Sequence, residues 1–230
     1  MEFENQISNA DLVLIIDESL SKEEIDYLEK IETKNEGIIK CLVFDKMVSK
    51  LETLLISDLL LHNFNPKNTL LVYPGNGGKD IMDKLDLSYT HPSTNVPAKR
   101  LWQPGQDPVV CTWEVLPERH ILTNIETVVV IDDVISSGKT IEQLYVRNIW
   151  KFPKAKWHAL SLVGRPKKIK GYDYLYTLNL ITNSKCPEKK IPINSISTFI
   201  EDKKICIDYA LRNIKNPNIF IDFFDSLKDH

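Results

Sequence analysis

Two consecutive acidic residues follow the strongest β-strand pattern in the chain. The run Glu126–Ile131, ETVVVI, is typical of a buried strand and leads directly into Asp132 and Asp133. Because successive side chains of a strand point to opposite faces, only one of these carboxylates is expected to face a ligand fully. At a strand end such a pair can bind sugar hydroxyls and contact Mg²⁺, which takes few carboxylates and completes its shell with substrate oxygens and waters.

A turn rich in hydroxyl groups comes shortly after the acids, at the predicted start of a helix over Lys139–Trp150. Backbone N–H groups in a first helical turn lack intrahelical partners, so with neighbouring hydroxyls they can bind a phosphate dianion. A glycine in the turn lets the backbone approach the phosphate closely. The phosphate-binding candidates are Ser136, Ser137, Gly138, Lys139 and Thr140. Sugar-hydroxyl ligands and a phosphate cup this close together indicate a ribose 5-phosphate site.

Two other interpretations of this segment follow from the residues alone. Its ending, SGKT, matches the end of a nucleoside triphosphate P-loop, but that motif needs glycine five positions before Gly138, where this chain has Asp133. The second interpretation is structural: a buried strand followed by a capped helix, with both acids merely solvated. Two acids at the end of a core strand are costly without a ligand or partners, which favours a binding site.

A second glycine turn follows another buried-strand pattern, Thr69–Tyr73, TLLVY. It has the sequence PGNGG over Pro74–Gly78, and a helix is predicted from Lys79 to Leu85. Strand, glycine turn and helix in this order form the first half of a strand-helix-strand unit. The pattern GNGG by itself indicates only a turn.

Strands and helices alternate along the chain, which predicts an α/β fold with a mostly parallel sheet flanked by helices. Ligands of such sheets bind beyond the carboxyl ends of the strands, where both glycine turns are expected. The segment Leu87–Gln106 lacks periodicity and is predicted to be a long loop. The other predicted strands are Ala10–Ile16, Ile38–Phe44, Val109–Val115, Trp157–Val163 and Tyr172–Ile181, and the other predicted helices are Leu20–Ile31, Met47–Phe64, Ser197–Ile214 and Asn218–Leu227.

The composition is that of an ordinary soluble protein, with 230 residues, 43% hydrophobic and 27% charged. The net charge of -3 gives no overall attraction to nucleic acid or to a membrane surface. No apolar run approaches the roughly 20 residues needed to span a bilayer, and the acidic N-terminus does not resemble a secretory signal. A cytoplasmic protein without membrane or nucleic-acid partners is therefore expected.

The segment IDDVISSGKT resembles the motif that binds phosphoribosyl pyrophosphate (PRPP) in type I phosphoribosyltransferases. The resemblance is strong over Val128–Ile141 and weaker, but correctly ordered, over Thr69–Val163. It implies a Rossmann-like core with a small hood. It also implies a single domain over residues 1–230, with a core at about 66–182 and with 1–65 and 183–230 as appended or hood elements.

The same resemblance implies roles for individual residues. Asp132 and Asp133 would contact the ribose hydroxyls and hold Mg²⁺, the expected cofactor, and Ser136–Thr140 would hold the 5-phosphate. A mobile loop with Lys99 and Arg100 would close over the reacting centre, although both can equally be solvated cations. The pyrophosphate-binding candidates are Gly75, Asn76, Gly77, Gly78 and Lys79. Arg165 is the nearest candidate for a base contact, or else a surface arginine in a turn.

The implied activity is Mg²⁺-dependent transfer of ribose 5-phosphate from PRPP to a nucleobase or related nitrogen nucleophile. One departure matters: in the branch that salvages hypoxanthine and guanine, an aspartate commonly stands in the turn where this chain has Ser136. That departure and the unfamiliar ends leave open a PRPP- or nucleotide-binding regulatory or defence protein. A homodimer and a partner protein in a larger assembly are both compatible with the sequence. A phosphotransfer receiver is disfavoured, because its acids follow the first strand.

Overall fold

The computed structural model describes residues 1–8, 10, 12–17, 20–34, 39–57, 64–85, 91–101, 109–112, 124–165, 168–182, 191, 193–214 and 217–227. The chain forms two compact units. Unit 1 comprises Met1–Gln6 and Val48–Leu180, and unit 2 comprises Ile7–Met47 and Ile181–His230. Within the described ranges, no helix is both long and apolar enough to cross a membrane.

Strands and helices alternate strictly from Leu12 to Val96 and again from Thr127 to Gly164. The strands are β1 (Glu2–Ser8), β2 (Leu12–Ile16), β3 (Ile39–Val43), β4 (Thr69–Pro74), β5 (Ser93–Val96), β6 (Ala98–Leu101), β7 (Val109–Thr112), β8 (Thr127–Ile135), β9 (Lys156–Gly164), β10 (Tyr174–Thr182) and β11 (Ile193–Ser195). The helices are α1 (Lys22–Lys34), α2 (Phe44–Ser57), α3 (Gly75–Lys84), α4 (Lys139–Asn148), α5 (Ile196–Glu201), α6 (Lys203–Asn213) and α7 (Pro217–Ser226).

The main sheet has six strands in the order β1-β10-β9-β8-β4-β5. The neighbours from β10 to β5 all pair in parallel. The predicted α/β class with a mostly parallel sheet is therefore confirmed. Val128–Ile131 in the central strand β8 are completely buried, which explains why this run reads as uninterrupted apolar sequence.

Helix α4 packs on one face of this sheet through Ile141 and Leu144. Trp157 of β9 lies in the same core and meets the Tyr145 ring edge-on, with ring centroids 5.3 Å apart. Tyr172 donates a hydrogen bond of 2.8 Å to the carbonyl oxygen of Ile141. These contacts fix the start of α4 relative to the strand that precedes it.

Unit 2 contains a parallel three-stranded sheet in the order β11-β2-β3. Its core is rich in aromatic residues, with Phe199, Phe220 and Phe224 in mutual ring contact. The predicted helix Ser197–Ile214 is instead two helices, because Asp202 caps α6 by accepting from the backbone N–H groups of Lys204 and Ile205. The hood role suggested for residues 1–65 and 183–230 stays a prediction.

The predicted long loop over Leu87–Gln106 is wrong where the structure describes it. Residues Ser93–Val96 form β5, which pairs with β4, and Ala98–Leu101 form β6, which pairs antiparallel with β7. Residues 86–90 and 102–108 lie outside the described part of the chain. Short polar runs carry little apolar periodicity, so their pairing is set by the strands beside them.

Candidate functional site

The acidic pair lies on a part of β8 that extends past its pairing with β4. The β4–β8 register runs to Val72 opposite Val130, whereas β8 continues alongside β9 as far as Ile135 opposite Gly164. The sequence predicts that Asp132 and Asp133 follow the strand. In the structure they lie within it. Helix α3, which follows β4 directly, packs against β8.

Asp133 meets the first turn of α3 directly. A Cβ atom built on Gly77 would overlap the carboxyl group of Asp133, so the two residues are in contact and position 77 has no room for a side chain. The Asp133 side chain is partly exposed, and its Oδ1 accepts a hydrogen bond of 2.7 Å from the Val134 N–H. Asp133 and Gly77 are 56 positions apart in the sequence, so this contact brings the acid pair and the glycine turn together.

Asp132 points away from that contact. Its side chain is buried, with 8% exposed, and its Oδ1 accepts a hydrogen bond of 3.1 Å from the Asp133 N–H. Burial, followed by the charge of Asp132, raises the pKa of Tyr172 well above its usual value. The alternation of strand side chains thus leaves Asp133 as the acid available to a ligand.

The glycine turn is itself the first turn of α3. The sequence predicted a loop over Gly75–Gly78 and a helix from Lys79, but the helix begins at Gly75, whose φ is 63°. Pro74 stands at the N-cap and provides no side-chain hydrogen bond to the helix. The amide groups of this turn are therefore not satisfied by a capping side chain.

Asn95 of β5 holds the start of this helix. Its Nδ2 donates hydrogen bonds to the carbonyl oxygens of Tyr73, at 2.8 Å, and Gly75, at 3.2 Å. Sequence reasoning missed Asn95 because it lies in a segment predicted as loop. The signal that could have found it is the run Ser93–Val96, if read as a short strand.

The hydroxyl-rich turn leads into α4 in the predicted manner. Gly138 is the N-cap residue, with φ 72° and no side-chain cap. The Ser137 hydroxyl oxygen accepts from the Lys139 N–H at 3.4 Å. Ser137 and Lys139 are exposed, whereas Ser136 and Thr140 are partly exposed. Hydroxyl groups and the amides of the helix start thus share one accessible turn.

Three cationic residues that the sequence predicts for the site are Arg165, Lys99 and Arg100, and the structure describes the backbone of each. Arg165 follows β9, and its N–H donates to the Ile135 carbonyl oxygen at 3.2 Å, which places it beside the hydroxyl turn. Burial lowers the pKa of its guanidinium group. Lys99 and Arg100 lie on β6, opposite Cys111 and Val110 of β7, and their side chains lie outside the described atoms.

The backbone of β6 begins beside the first turn of α3. A Cβ atom built on Gly75 would lie 3.5 Å from the carbonyl oxygen of Ala98. The strand β7 that pairs with β6 packs near α4. The hairpin of β6 and β7 is therefore close to both helices of the site. Lys79, another pyrophosphate candidate, is exposed on α3.

Two helix N-termini lie at one edge of the sheet, with a carboxylate beside the first. Helices α3 and α4 begin at the carboxyl ends of neighbouring parallel strands, β4 and β8. A helix N-terminus carries partial positive charge and outward N–H groups, which suit phosphate. The Asp133 carboxylate lies at the first of these termini and can accept hydrogen bonds from sugar hydroxyls.

One of the two acids, Asp133, fits a magnesium ion that is shared with a ligand. Among the residues the structure describes, no group of three or more His, Cys, Asp or Glu side chains could enclose a metal. Mg²⁺ commonly binds through one or two carboxylates and takes its remaining ligands from substrate phosphates and water. Asp133, with its partly exposed carboxyl group, is the residue placed for that role.

No protein-family model matches the chain, and no curated protein matches it. Among solved structures, a hypothetical protein from Neisseria gonorrhoeae with bound ppGpp is 19% identical with a TM-score of 0.45, covering 62% of this chain and 85% of that one. A purine phosphoribosyltransferase from Pyrococcus horikoshii is 18% identical with a TM-score of 0.39, covering 79% and 97%. A xanthine-guanine-hypoxanthine phosphoribosyltransferase from Helicobacter pylori is 14% identical with a TM-score of 0.39, covering 80% and 92%.

Proposed function

We propose that unit 1 binds PRPP with Mg²⁺ and transfers its ribose 5-phosphate to a nucleobase or a related nitrogen nucleophile. The observation that carries this proposal is the contact between Asp133 and Gly77, which joins the acidic pair to the start of α3. PRPP has a 5-phosphate and a pyrophosphate on one ribose, so it needs two anion sites with sugar ligands between them. The starts of α3 and α4, with Asp133 beside the first, supply that set of groups.

Each group has a separate task in this proposal. The turn Ser136–Thr140 holds the 5-phosphate, Asp133 accepts hydrogen bonds from the ribose hydroxyls, and the amides of the first turn of α3 hold pyrophosphate. Asp132, which is buried, orients Asp133 through its hydrogen bond to the Asp133 N–H. Mg²⁺, when bound, would neutralise charge on the departing pyrophosphate. Lys99, Arg100 and Lys79 are further candidates for contacts with that group.

The reaction exchanges one bond at C1 of the ribose. The bond from C1 to pyrophosphate breaks, the nucleophile forms a C1–N bond and loses a proton, and the products are a nucleoside monophosphate and pyrophosphate. Positive charge develops on the sugar as the leaving group departs, and anion sites that are already in place stabilise the transition state. Arg165, beside the hydroxyl turn, is the proposed contact for the incoming base.

The test is pyrophosphate release from PRPP and Mg²⁺ across a panel of purines, pyrimidines and other nitrogen nucleophiles. We expect one of them to give catalytic release that Asp133→Asn lowers at least about 10-fold, the scale of a lost charged hydrogen bond. Asp83→Asn makes the same chemical change at an exposed position near the other end of α3 and serves as the matched control. Absence of PRPP binding would overturn the proposal.

A PRPP-sensing protein without turnover is the second candidate function. Ser136 favours it, because a serine hydroxyl cannot act as the aspartate does when it assists deprotonation of the base. Tight PRPP binding combined with no pyrophosphate release from any member of the panel would favour sensing over catalysis. A PRPP-dependent change in association with a partner protein would then be the expected activity.

A further inference from the structure

A cavity lies in unit 1 against the first halves of strands β8, β9 and β10. Its volume is about 870 Å³, within the range of small-molecule sites. Its described lining includes Leu51 and Leu54 of α2 and the first residues of β8, β9 and β10. Thr127 of this lining opens β8, and Leu160 of β9, which lies deeper in the sheet, is opposite Ile131, two residues before Asp133. None of the residues predicted for PRPP binding lines this cavity.

One wall of this cavity is a row of three rings. Phe64 and His158 have ring centroids 5.0 Å apart, and His158 and Tyr174 have centroids 5.9 Å apart. Leu51, Leu54 and Leu160 add aliphatic surface. Aromatic and aliphatic walls of this kind bind flat, apolar rings through stacking and burial of apolar surface.

Two lysines of the cavity lining form no ion pair with the two acidic residues beside them. Glu126 accepts a hydrogen bond of 2.6 Å from the Asn68 Nδ2, and Glu2 accepts one of 2.8 Å from the Tyr174 hydroxyl. Both carboxylates thus have neutral partners. Lys154 and Lys156 are exposed, and neither forms an ion pair with another residue in the part of the chain that the structure describes. They can attract an anionic group on a ligand.

His158 contributes its ring to this wall and not its Nδ1 atom. The Nδ1 atom is buried and has no hydrogen-bond partner among the described atoms. Because it has almost no accessible surface in the empty cavity, it does not contact a molecule bound there.

We propose that this cavity is a binding site for a planar aromatic molecule that bears an anionic group, with the ring against Phe64, His158 and Tyr174 and the anion at Lys154 and Lys156. The proposal is independent of the PRPP site, because it uses none of its residues.

Calorimetry with 2-naphthoate as the probe tests this proposal. We expect 2-naphthoate to bind more tightly than 2-naphthalenemethanol, which lacks the charge, and than cyclohexanecarboxylate, which lacks the aromatic ring. Lys154→Met and Lys156→Met should each weaken 2-naphthoate about two- to fivefold, the scale of an exposed ion pair. They should leave the neutral alcohol unaffected. Lys204→Met, at an exposed position in unit 2, is the matched control and should change nothing.

Two further variants locate the probe. Leu54→Trp adds volume to the cavity wall and should abolish binding of all three compounds, with circular dichroism as the check on folding. Asp133→Asn should leave 2-naphthoate affinity unchanged, whatever it does to PRPP. Loss of 2-naphthoate binding in Asp133→Asn, or equal affinities for the three compounds, would overturn the proposal.

Discussion

Gly77 is required by a close contact and not by an unusual backbone angle. Positive φ is found at Gly75, Gly138 and Gly171 among the described glycines, and not at Gly77. Gly77 is instead glycine because the Asp133 carboxyl group occupies the space that a Cβ atom would need. The residue therefore sets how closely α3 can approach the acid on β8.

Gly77→Ala should separate the two halves of the candidate site. The added methyl group forces Asp133 out of its present position, which we expect to weaken PRPP binding at least 10-fold. A displaced rotamer costs about 1 kcal/mol, so the free energy of unfolding should fall only by about that amount. Calorimetry with PRPP and urea unfolding measure the two effects. Unchanged PRPP affinity in a folded Gly77→Ala protein would contradict the role given to this contact.

Gly138 combines two constraints that substitutions can separate. Its φ of 72° disfavours other residues, and an added Cβ atom would overlap the Ile169 side chain. Gly138→Ala should lower the free energy of unfolding by about 1–3 kcal/mol. Gly138→Asn tolerates positive φ better but still meets Ile169, so it should be intermediate. Urea unfolding of both variants is the measurement, and wild-type stability in Gly138→Ala would contradict the described turn.

His158 should make stability depend on pH. Burial lowers its pKa below the usual 6.5, while Asp173 opposes and Lys156 adds to the shift. The unfolded chain then binds the proton more readily, so this contribution to stability is complete above about pH 6.5 and is lost as the pH falls below it. His158→Phe keeps a ring beside Phe64 and should flatten the fall in urea midpoint between pH 7 and 5. Burial also lowers the pKa of His91, so a smaller dependence of the urea midpoint on pH should remain in this variant. An unchanged slope would contradict this assignment.

At the scale of elements, the sequence predicted the buried strands well and the polar ones poorly. Thr69–Pro74 and Thr127–Ile135 are mostly apolar and were found, though the second was predicted to end at Ile131. The sequence predicts a loop where β5 and β6 lie, because both runs are short. β5 forms through its pairing with β4, and β6 through its pairing with β7. Strand pairing depends on tertiary neighbours that a local pattern does not contain.

For the candidate site, too, the sequence predicts what local residue types determine and misses what depends on contacts between distant segments. The residue types of the acids and the hydroxyl turn are enough to single them out in the sequence, and their role in binding stays a prediction. The contact between Asp133 and Gly77 could not be predicted, since it depends on where α3 begins and how closely it packs. Asn95 was missed for the same reason: its role exists only once β5 lies beside β4.

Asn95→Leu tests the role of β5 in the site. The substitution removes two hydrogen bonds to the carbonyl oxygens of Tyr73 and Gly75. We expect PRPP affinity to fall about 10-fold and stability to fall by about 1–2 kcal/mol. Thr94→Val, the same kind of change at the preceding residue, removes only a weak contact of 3.5 Å and is the control. Equal PRPP affinities in the two variants would show that Asn95 does not position the start of α3.

At the scale of the whole molecule, the chain has two units and the candidate site belongs to unit 1. Residues from its acid pair, glycine turn, hydroxyl turn and β5 all lie within Val48–Leu180. The parallel order of β9, β8, β4 and β5 brings their carboxyl ends to one edge, which is why segments distant in the sequence meet there. Unit 2 contributes no residue that was predicted for PRPP binding.

The most direct measurement of the central claim is calorimetric titration of PRPP with Mg²⁺ into wild type, Asp133→Asn and Asp83→Asn. We predict that wild type and Asp83→Asn bind PRPP with equal affinity, whereas Asp133→Asn binds it at least about 10-fold more weakly. Its urea midpoint should stay near that of wild type, because Asp133 is partly exposed and not part of the core. PRPP affinity that is unchanged in Asp133→Asn, or that is absent from wild type, would contradict the account.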